Sequence, residues 1–225
     1  MENQNQEQNK DMGEFISRSE QFIEKYQKRI LYVLGCIIVV VVAIFAINKW
    51  MVQPRAERAA SSMFAAEQWF AQDSLQLALN GNDQFMGFYD VIDKYGSTKS
   101  GNLAKYYAGV SNLRLGNYSE AEKWLKKYKG HDTFTKVLAV TCLGDAAIEQ
   151  GKNADALKYY MKAAKMDDNS ITTPMALMKA GRVQLMNGNY SEAVKLFKKI
   201  KDYPESTEYR EADKYIALAE ESAKK

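Results

Sequence analysis

A six-residue sequence, Gly-Asn-Tyr-Ser-Glu-Ala, occurs twice in this chain of 225 residues and constrains its fold more than any other feature. The copies occupy residues 116–121 and 188–193, 72 positions apart, and a degenerate copy lies between them at residues 151–156. The separation equals two units of about 36 residues, and a fixed period of this size is typical of stacked helical repeats. We therefore predict an all-α repeat domain, a kind of fold that usually serves as a docking surface.

The three repeat units share small and large residues at fixed positions. In each unit a glycine precedes an alanine by twelve residues, and a large apolar residue follows that alanine by four. The three sets are Gly109, Ala121 and Leu125, then Gly144, Ala156 and Tyr160, then Gly181, Ala193 and Phe197. Glycine within a helix costs about 1 kcal/mol relative to alanine, so three glycines at one register predict close packing of two helices. A second glycine of each unit falls where the first helix is expected to end in left-handed backbone: Gly116, Gly151 and Gly188. Each unit is thus predicted to be a helical hairpin.

This pattern resembles the tetratricopeptide repeat, which has a small residue in its first helix, a tight turn and an Ala-x-x-x-Phe motif in its second helix. The resemblance covers residues 102–205, with offsets of 35 and 37 residues between units. It departs from the family pattern where Lys105, Val140 and Leu177 replace the usual opening aromatic residue, and where the closing proline is absent apart from Pro204. The two extra residues of the longer offset are expected in a loop and helix cap within residues 166–174.

Segments on both sides of the three units are predicted to extend the array. Leu75–Gly81 ends in a glycine at the same register, and Phe85–Tyr95 would be the second helix of an atypical first unit. Glu205–Lys225 is amphipathic and rich in Glu and Lys, as expected for the polar terminal helix that a repeat array needs.

The residues from Ile30 to Asn48 form a run of 19 without a charged side chain. As a helix this run would span about 28 Å, close to the hydrocarbon thickness of a bilayer. A core helix of a soluble protein is disfavoured because Ile37–Ile47 is apolar on every side. A cleaved signal peptide is disfavoured by the 29 largely polar residues ahead of the run. A lipoprotein cleavage box is weakly matched at Val33-Leu-Gly-Cys36, but most of the apolar run follows Cys36, the reverse of the usual order. We predict an uncleaved signal anchor.

The basic residues around the apolar run favour a cytoplasmic N-terminus, although the bias is small. Five Lys or Arg precede the run and three follow it closely. The first dozen residues are too polar to fold, whereas residues 15–26 carry apolar side chains at helical spacing and predict an amphipathic segment. Pro54 is expected to kink or break the helix beyond the membrane, and Arg55–Leu79 to resume it.

The charge of the chain argues against nucleic acid as a partner. Residues 49–225 carry 26 basic and 22 acidic side chains, a balance too mild for a nucleic-acid-binding domain. The densest basic run is Lys123, Lys126, Lys127 and Lys129. We interpret it as the solvated outer face of a helix in preference to a binding patch.

The residue types needed for catalysis or metal binding are scarce. His131 is the sole histidine, and the two cysteines, Cys36 and Cys142, are predicted to lie in the membrane and in a helix, so neither a disulfide nor a Cys/His metal site is expected. No phosphate-binding glycine loop or nucleophile elbow occurs. His131 beside Asp132 is interpreted as a surface turn in preference to a catalytic pair. We expect no enzyme activity, no cofactor, no metal and no small-molecule substrate.

A short tail, one apolar helix and a degenerate helical-repeat domain together resemble the bacterial YfgM family, the ancillary subunit of the SecYEG translocon. The resemblance covers about residues 15–225 and is carried by Ile30–Ile47, Phe88–Tyr95, Leu113–Ala121 and Leu143–Asp145. It implies a periplasmic repeat domain beside the translocon that passes emerging chains to periplasmic chaperones. The implied partners are translocon subunits, chaperones or unfolded chains. An alternative from a different class is an envelope scaffold that tethers a secretion or outer-membrane machine without handling unfolded chains.

The predicted protein is all-α, with one N-terminal transmembrane helix, a tetratricopeptide-like α-solenoid of helical hairpins and a C-terminal capping helix. Its expected divisions are a cytoplasmic tail, the signal anchor, a linker helix with the atypical first repeat, three repeats and the capping helix: 1–29, 30–48, 49–101, 102–205 and 206–225. The expected location is the bacterial inner membrane, with the N-terminus in the cytoplasm and the repeat domain in the periplasm.

The resemblance to tetratricopeptide domains also implies a binding surface. Those domains usually bind through the second, fifth, ninth and thirteenth positions of the first helix of each unit. On this register the concave face would present Leu103, Tyr106, Val110 and Arg114, then Leu138, Thr141, Asp145 and Glu149, then Met175, Met178, Arg182 and Met186. The three Met of the last unit predict an adaptable surface, since Met repacks around different partners. An equal alternative is that these methionines fill the core.

Overall fold

The computed structural model describes residues 26–29 and 31–224, and in that part of the chain every regular element is a helix. The chain divides into two compact units, Met1–Pro54 and Arg55–Lys225. The expected disordered tail and most of the expected amphipathic segment, which precede residue 26, lie outside the described residues.

Helix α1, residues 31–47, carries the apolar run. The most apolar 18-residue window has a mean hydropathy of 3.2, and none of it is buried against the rest of the protein. A core helix of this composition would be mostly buried, because exposed apolar surface is unfavourable in water. The helix is therefore compatible with a single membrane span.

The helix does not break at Pro54. A π-helical turn, Asn48–Val52, follows α1, and the chain continues as α2, Gln53–Ala71, with Pro54 as its second residue. A π turn is a common way to accommodate a proline, which lacks the N–H that the α-helical ladder needs. The expected single helix over Arg55–Leu79 is also wrong, because α2 ends at Ala71 and Asp73 adopts left-handed backbone with φ of 60°.

The unit that begins at Arg55 is a succession of helices. They are α2 (Gln53–Ala71), α3 (Leu75–Asn80), α4 (Phe88–Tyr95), α5 (Lys99–Arg114), α6 (Tyr118–Lys127), α7 (Thr133–Glu149), α8 (Asn153–Met166), α9 (Thr172–Met186), α10 (Tyr190–Ile200) and α11 (Glu208–Ser222).

The predicted hairpins are α5–α6, α7–α8 and α9–α10. Each helix from α4 to α11 packs against the next in sequence, and the first helices of successive hairpins, α5, α7 and α9, also contact one another in order. Helix α11 contacts both α10 and α9, so it occupies the place that the first helix of a further unit would take. The result is the tetratricopeptide-like solenoid with a terminal helix that the repeats predicted.

The glycines of the first helices pack directly on the large residues of the second helices, as predicted. A Cβ atom on Gly109 would lie 2.5 Å from Leu125 Cγ. A Cβ atom on Gly144 or Gly181 would overlap the ring of Tyr160 or Phe197. The absent side chain therefore sets the distance between the two helices of each hairpin.

The second set of glycines closes the turns between the helices. Gly116, Gly151 and Gly188 have φ of 80°, 72° and 75°, the left-handed region that side chains disfavour. In each turn the amide of the following residue reaches back five residues: Asn117 to Asn112 O at 2.8 Å, Lys152 to Ala147 O at 2.8 Å and Asn189 to Gln184 O at 2.9 Å. This hydrogen bond satisfies a carbonyl at the helix end that would otherwise lack a partner.

Polar side chains begin the first helix of each hairpin. Thr98 Oγ1 accepts from the amide of Gly101, and Asp132 Oδ1 accepts from the amide of Thr135 at 2.7 Å. Asn169 Oδ1 accepts from the amide of Thr172, in the loop where the extra residues of the longer offset were expected. The Gly-His-Asp turn therefore serves as a helix cap, and its hydrogen bonds to Thr135 lower the pKa of Asp132.

Candidate protein-binding groove

The first helices of the three hairpins stand side by side, so the twelve predicted binding residues lie on neighbouring helices. A groove of about 440 Å³ crosses them near their C-terminal ends. Its lining combines these helices with two tyrosines from second helices: Leu113, Tyr118, Asp145, Ile148, Glu149, Tyr160, Lys179, Arg182, Val183 and Met186. Four of the predicted residues line the groove: Asp145, Glu149, Arg182 and Met186.

Three side chains from three helices meet at Asp145. Asp145 Oδ1 accepts a hydrogen bond from the Tyr160 hydroxyl at 2.7 Å and from Lys179 Nζ at 2.7 Å. Burial and, after it, the nearby Asp145 carboxylate raise the pKa of Tyr160, so the phenol stays protonated and donates. Because each of the three groups is partly or fully buried, this cluster fixes the second hairpin against α9 and forms a rigid wall of the groove.

The remaining polar groups of the groove are more open. Tyr118 of α6 forms a hydrogen bond with Glu149 at the end of α7, and this bond raises the pKa of Tyr118. Arg182 is exposed, and its guanidinium lies 5.9 Å from the centre of the Tyr215 ring. Met186 leaves 66% of its surface exposed.

The groove thus offers opposite charges on neighbouring helices beside an exposed apolar side chain. Asp145 and Glu149 come from α7, whereas Lys179 and Arg182 come from α9. Asp145 and Lys179 neutralise one another, so Glu149 and Arg182 are the charges that remain available to a ligand. Such a surface can hydrogen-bond the backbone and charged side chains of an extended peptide and cover its apolar residues.

The predicted residues of the first unit serve mainly in packing. Leu103 is half-buried against the aromatic core of α2, α4 and α5. Tyr106 and Val110 are half-buried beside Leu125, and burial raises the pKa of Tyr106. Arg114 is exposed, but its guanidinium pairs with Asp73 at 2.7 Å.

The other predicted residues divide between partly exposed and buried positions. Leu138 and Met175 are partly exposed and do not line the groove. Thr141 is buried, and its hydroxyl donates to Val137 O at 2.9 Å. Met178 is 6% exposed within the largest core cluster, so of the three methionines it fills the core and Met186 faces the groove.

Sequence reasoning missed Lys179 and the groove-lining role of Tyr118 and Tyr160. The binding positions usual for this repeat all lie on the first helix of each unit. Both tyrosines come from second helices, so the register did not include them. A charge signal was available for Lys179: the C-terminal half of α7 carries two acidic residues and no basic one, whereas α9 carries two basic residues and no acidic one.

Cys142 lies beside the groove but is not equipped to act as a nucleophile. Burial raises the pKa of its thiol to about 12, so the thiolate is scarce at neutral pH. Among residues 26–29 and 31–224, no group of three or more His, Cys, Asp or Glu side chains could hold a metal ion.

Comparison with known proteins agrees with the helical-repeat fold. Residues 143–207 match the family described as tetratricopeptide repeat. The fold is tetratricopeptide-like. A TPR repeat-containing protein of Methanocaldococcus jannaschii is 32% identical over 95 residues, which make up 42% of this chain and 16% of that relative. The chain therefore matches only a small part of the relative's length. Tetratricopeptide repeats imply a scaffold for protein–protein interaction, and proteins built from them are generally not enzymes.

Proposed function

We propose that this chain is a membrane-anchored scaffold that sits beside the SecYEG translocon and links emerging chains to periplasmic chaperones. The observation that carries the binding function is the groove across α5, α7 and α9, where Glu149, Arg182 and Met186 remain accessible to a ligand. An unfolded chain presents backbone, charged and apolar groups in no fixed order, and a groove with all three kinds of contact suits it.

Membrane anchorage is supported by α1, which is apolar on every side and long enough to cross a bilayer. Lys49 and Trp50 follow the apolar run directly, and Trp and Lys are enriched where a spanning helix leaves the hydrocarbon. The translocon as partner is supported by the resemblance to the YfgM family, and a repeat domain that binds proteins is the feature that such a role needs.

Substitution in the groove tests the binding function. We expect Arg182→Glu with Met186→Glu to reduce capture of partner proteins, because the change reverses the accessible positive charge and replaces the accessible apolar side chain. The measurement is co-purification of the full-length protein from mild detergent, followed by mass spectrometry. Loss of translocon subunits and chaperones from the variant supports the proposal.

A matched control carries the same chemical changes outside the groove. Lys162→Glu with Ile171→Glu replaces one exposed cation and one exposed apolar side chain, neither of which lines the groove. This control is expected to retain its partners. Equal loss from both variants would show that the groove is not the binding surface. Recovery of outer-membrane assembly proteins in place of translocon subunits would favour the envelope scaffold without a chain-handling role.

The orientation of the chain is a separate prediction. We propose that residues 55–225 lie in the periplasm and the N-terminal tail in the cytoplasm, on the basis of the five-to-three excess of basic residues ahead of the apolar run. Protease added to spheroplasts is then expected to digest the repeat domain and to leave a short anchored fragment. Survival of the repeat domain until the membrane is permeabilised would reverse the orientation and remove the proposed role at the translocon.

A further inference from the structure

We infer that the repeat domain docks on anionic phospholipid headgroups through a cationic edge close to the point where the chain enters it. This inference rests on the membrane anchorage proposed above. Contacts and electrostatic interactions bring together Arg55, Lys94, Lys105, Lys127 and Lys129. Arg58 and Lys99 lie close to them in the sequence. We call these seven residues the cationic edge.

Two of these cations converge on the C-terminal end of α4. Arg55 Nη2 donates to Lys94 O at 2.6 Å, and the Arg55 guanidinium lies 5.9 Å from the centre of the Tyr95 ring. Lys105 Nζ donates to Gly96 O at 3.0 Å. Because the C-terminus of a helix is the negative end of its dipole, these contacts hold both cations in place. They join Arg55, the first residue of the domain, to the end of α4, and join that end to α5 of the first hairpin.

Lys127 and Lys129 extend the edge from the other side. Asn102 Nδ2 donates to Lys129 O at 2.5 Å, and the Lys129 amide donates to Asn102 Oδ1 at 3.0 Å, which fixes the end of α6 beside α5. The pKa of Lys105 is lowered by burial and then by the charges of Lys129 and Lys127. Within the described residues, no carboxylate forms an ion pair with any of these three ammonium groups.

The rest of the basic run in α6 behaves differently. Lys123 pairs with Glu120 at 2.9 Å and Lys126 pairs with Glu122 at 2.5 Å, both within the helix. These two lysines match the solvated outer face that the sequence predicted. The unneutralised charge of the run is therefore concentrated at Lys127 and Lys129, next to Lys105.

Helix stability accounts for part of this charge, because Lys94 and Lys127 lie in the last turns of α4 and α6, but it does not account for Lys99 or for the absence of nearby carboxylates. Residues 94–105 and 127–129 contain five Lys and no Asp or Glu. Lys99 occupies the first turn of α5, where a positive charge opposes the helix dipole. The acidic residues nearest to these two segments along the chain are Asp93 and Asp132, and Asp132 is engaged as the cap of α7. Glu57 lies between Arg55 and Arg58 on α2. An anion from outside the chain would relieve this repulsion.

The covalent chain limits how far the first cation of the edge, Arg55, can lie from the expected membrane surface. Arg55 follows Asn48, the last residue of the uncharged run, by seven residues. Seven residues span at most about 25 Å even when fully extended. Basic clusters just outside a spanning helix are attracted to anionic headgroups. A lipid surface is therefore a closer match to this edge than nucleic acid, because the remainder of the domain is nearly balanced in charge.

Lysine labelling of the full-length protein in nanodiscs tests the inference. Amine acetylation is followed by mass spectrometry in discs of phosphatidylcholine with and without phosphatidylglycerol. We expect Lys105, Lys127 and Lys129 to react about three- to fivefold more slowly in the anionic discs, and the difference to disappear at high salt. The exposed Lys158, Lys162 and Lys199 of the second helices serve as internal controls and are expected to react equally in both.

Two triple variants sharpen the test. In the unchanged protein, Lys94 and Lys99 are also expected to react more slowly in anionic discs. With Lys105→Gln, Lys127→Gln and Lys129→Gln, these two lysines are expected to lose that protection. With Lys158→Gln, Lys162→Gln and Lys199→Gln, they are expected to keep it. Circular dichroism confirms that each variant is folded.

Several outcomes would overturn the inference. Equal labelling of the edge lysines in neutral and anionic discs would show that the edge does not dock on anionic headgroups. Protection of the edge in neutral discs by inorganic phosphate or by duplex DNA, at the level seen with anionic lipid, would show a different ligand. Protein that does not remain with the discs during size-exclusion chromatography would overturn the membrane anchorage and this inference together. Equal labelling of disc-bound protein would overturn the inference alone.

Discussion

The three hairpins of residues 99–200 and the segment α2–α4 ahead of them form their cores in different ways. In each hairpin a glycine faces one large side chain, and the fully buried Phe197 lies against Gly181. In α2–α4 the core is a cluster of rings, with Phe88 stacked on Tyr107 at 5.1 Å and edge-on to Phe70 at 6.3 Å. The hairpins therefore pack by close approach of helices at glycine, and the earlier segment packs through contacts between aromatic side chains.

The turns of the two regions are nevertheless alike. Asp73 takes the left-handed position between α2 and α3 that glycine takes in the hairpins, and the amide of Ser74 reaches back five residues to Trp69 O at 2.8 Å. The same hydrogen bond therefore closes the turn with a different residue. Arg114 pairs with the Asp73 carboxylate and ties this turn to the end of α5.

The largest expected effect separates the two kinds of core. Phe197→Ala and Phe88→Ala should each lower the free energy of unfolding by about 3–5 kcal/mol, because both rings are fully buried. In the hairpin, adding Gly181→Leu to Phe197→Ala should restore about 1–2 kcal/mol, since the new side chain enters the space that the ring has left. Urea denaturation of the full-length protein in detergent measures all three variants.

The control for this effect is Gly181→Leu in the otherwise unchanged chain, which should be destabilising because its side chain meets the ring of Phe197. If Gly181→Leu destabilises the unchanged chain but stabilises the Phe197→Ala variant, Gly181 and Phe197 are in contact. A double variant no more stable than Phe197→Ala alone would mean that Gly181 does not face this ring.

The hairpins could be predicted from sequence because glycine is the residue that both of their special positions require. Gly116 adopts the left-handed backbone conformation that the turn requires, and Gly109 allows the two helices to approach closely. The repeat can therefore be recognised from the spacing of its glycines. The turn at Asp73 could not be predicted in this way, since Asp adopts left-handed backbone less often than Gly and carries no repeated signature here. The sequence predicted an irregularity at Pro54 but could not distinguish a break from the π turn that precedes the proline, because a π turn has no sequence signature.

The candidate groove was predicted less completely than the fold. The register selected Asp145 and Arg182, which line the groove, but also Thr141 and Met178, which neighbouring helices cover. A register assigns positions around one helix, whereas exposure depends on how closely the next helix approaches. That distance is set by side chains such as Tyr160, which the register does not consider.

A smaller effect tests whether the close approach is general among the hairpins. Gly144→Leu should lower the free energy of unfolding by about 1–3 kcal/mol, because the added side chain overlaps the ring of Tyr160. Ala154→Leu, at an exposed position of α8, adds a leucine side chain without a clash and should leave stability nearly unchanged. Thermal melting of the two variants compares them directly. An unmoved midpoint for Gly144→Leu would show that the second hairpin is not packed as the first and third are.

The smallest expected effect separates the two ways of closing a turn. Gly188→Ala should cost about 1–2 kcal/mol from backbone strain alone, because φ is 75° and no atom lies within 4 Å of the added Cβ. Asp73→Gly should change stability by less than about 1 kcal/mol, since glycine relieves the strain at φ of 60° while the lost ion pair with Arg114 is largely exposed and therefore weak.

Chemical denaturation of both variants, with Arg114→Gln as the control for the ion pair, measures this difference. If Asp73→Gly and Arg114→Gln prove equally and strongly destabilising, the ion pair stabilises the α2–α3 turn. This turn would then share its backbone geometry with the glycine turns but not the source of its stability. If Asp73→Gly is neutral, backbone conformation governs both turns. The N-terminal segment would then differ from the hairpins in its core and not in how its helices are connected.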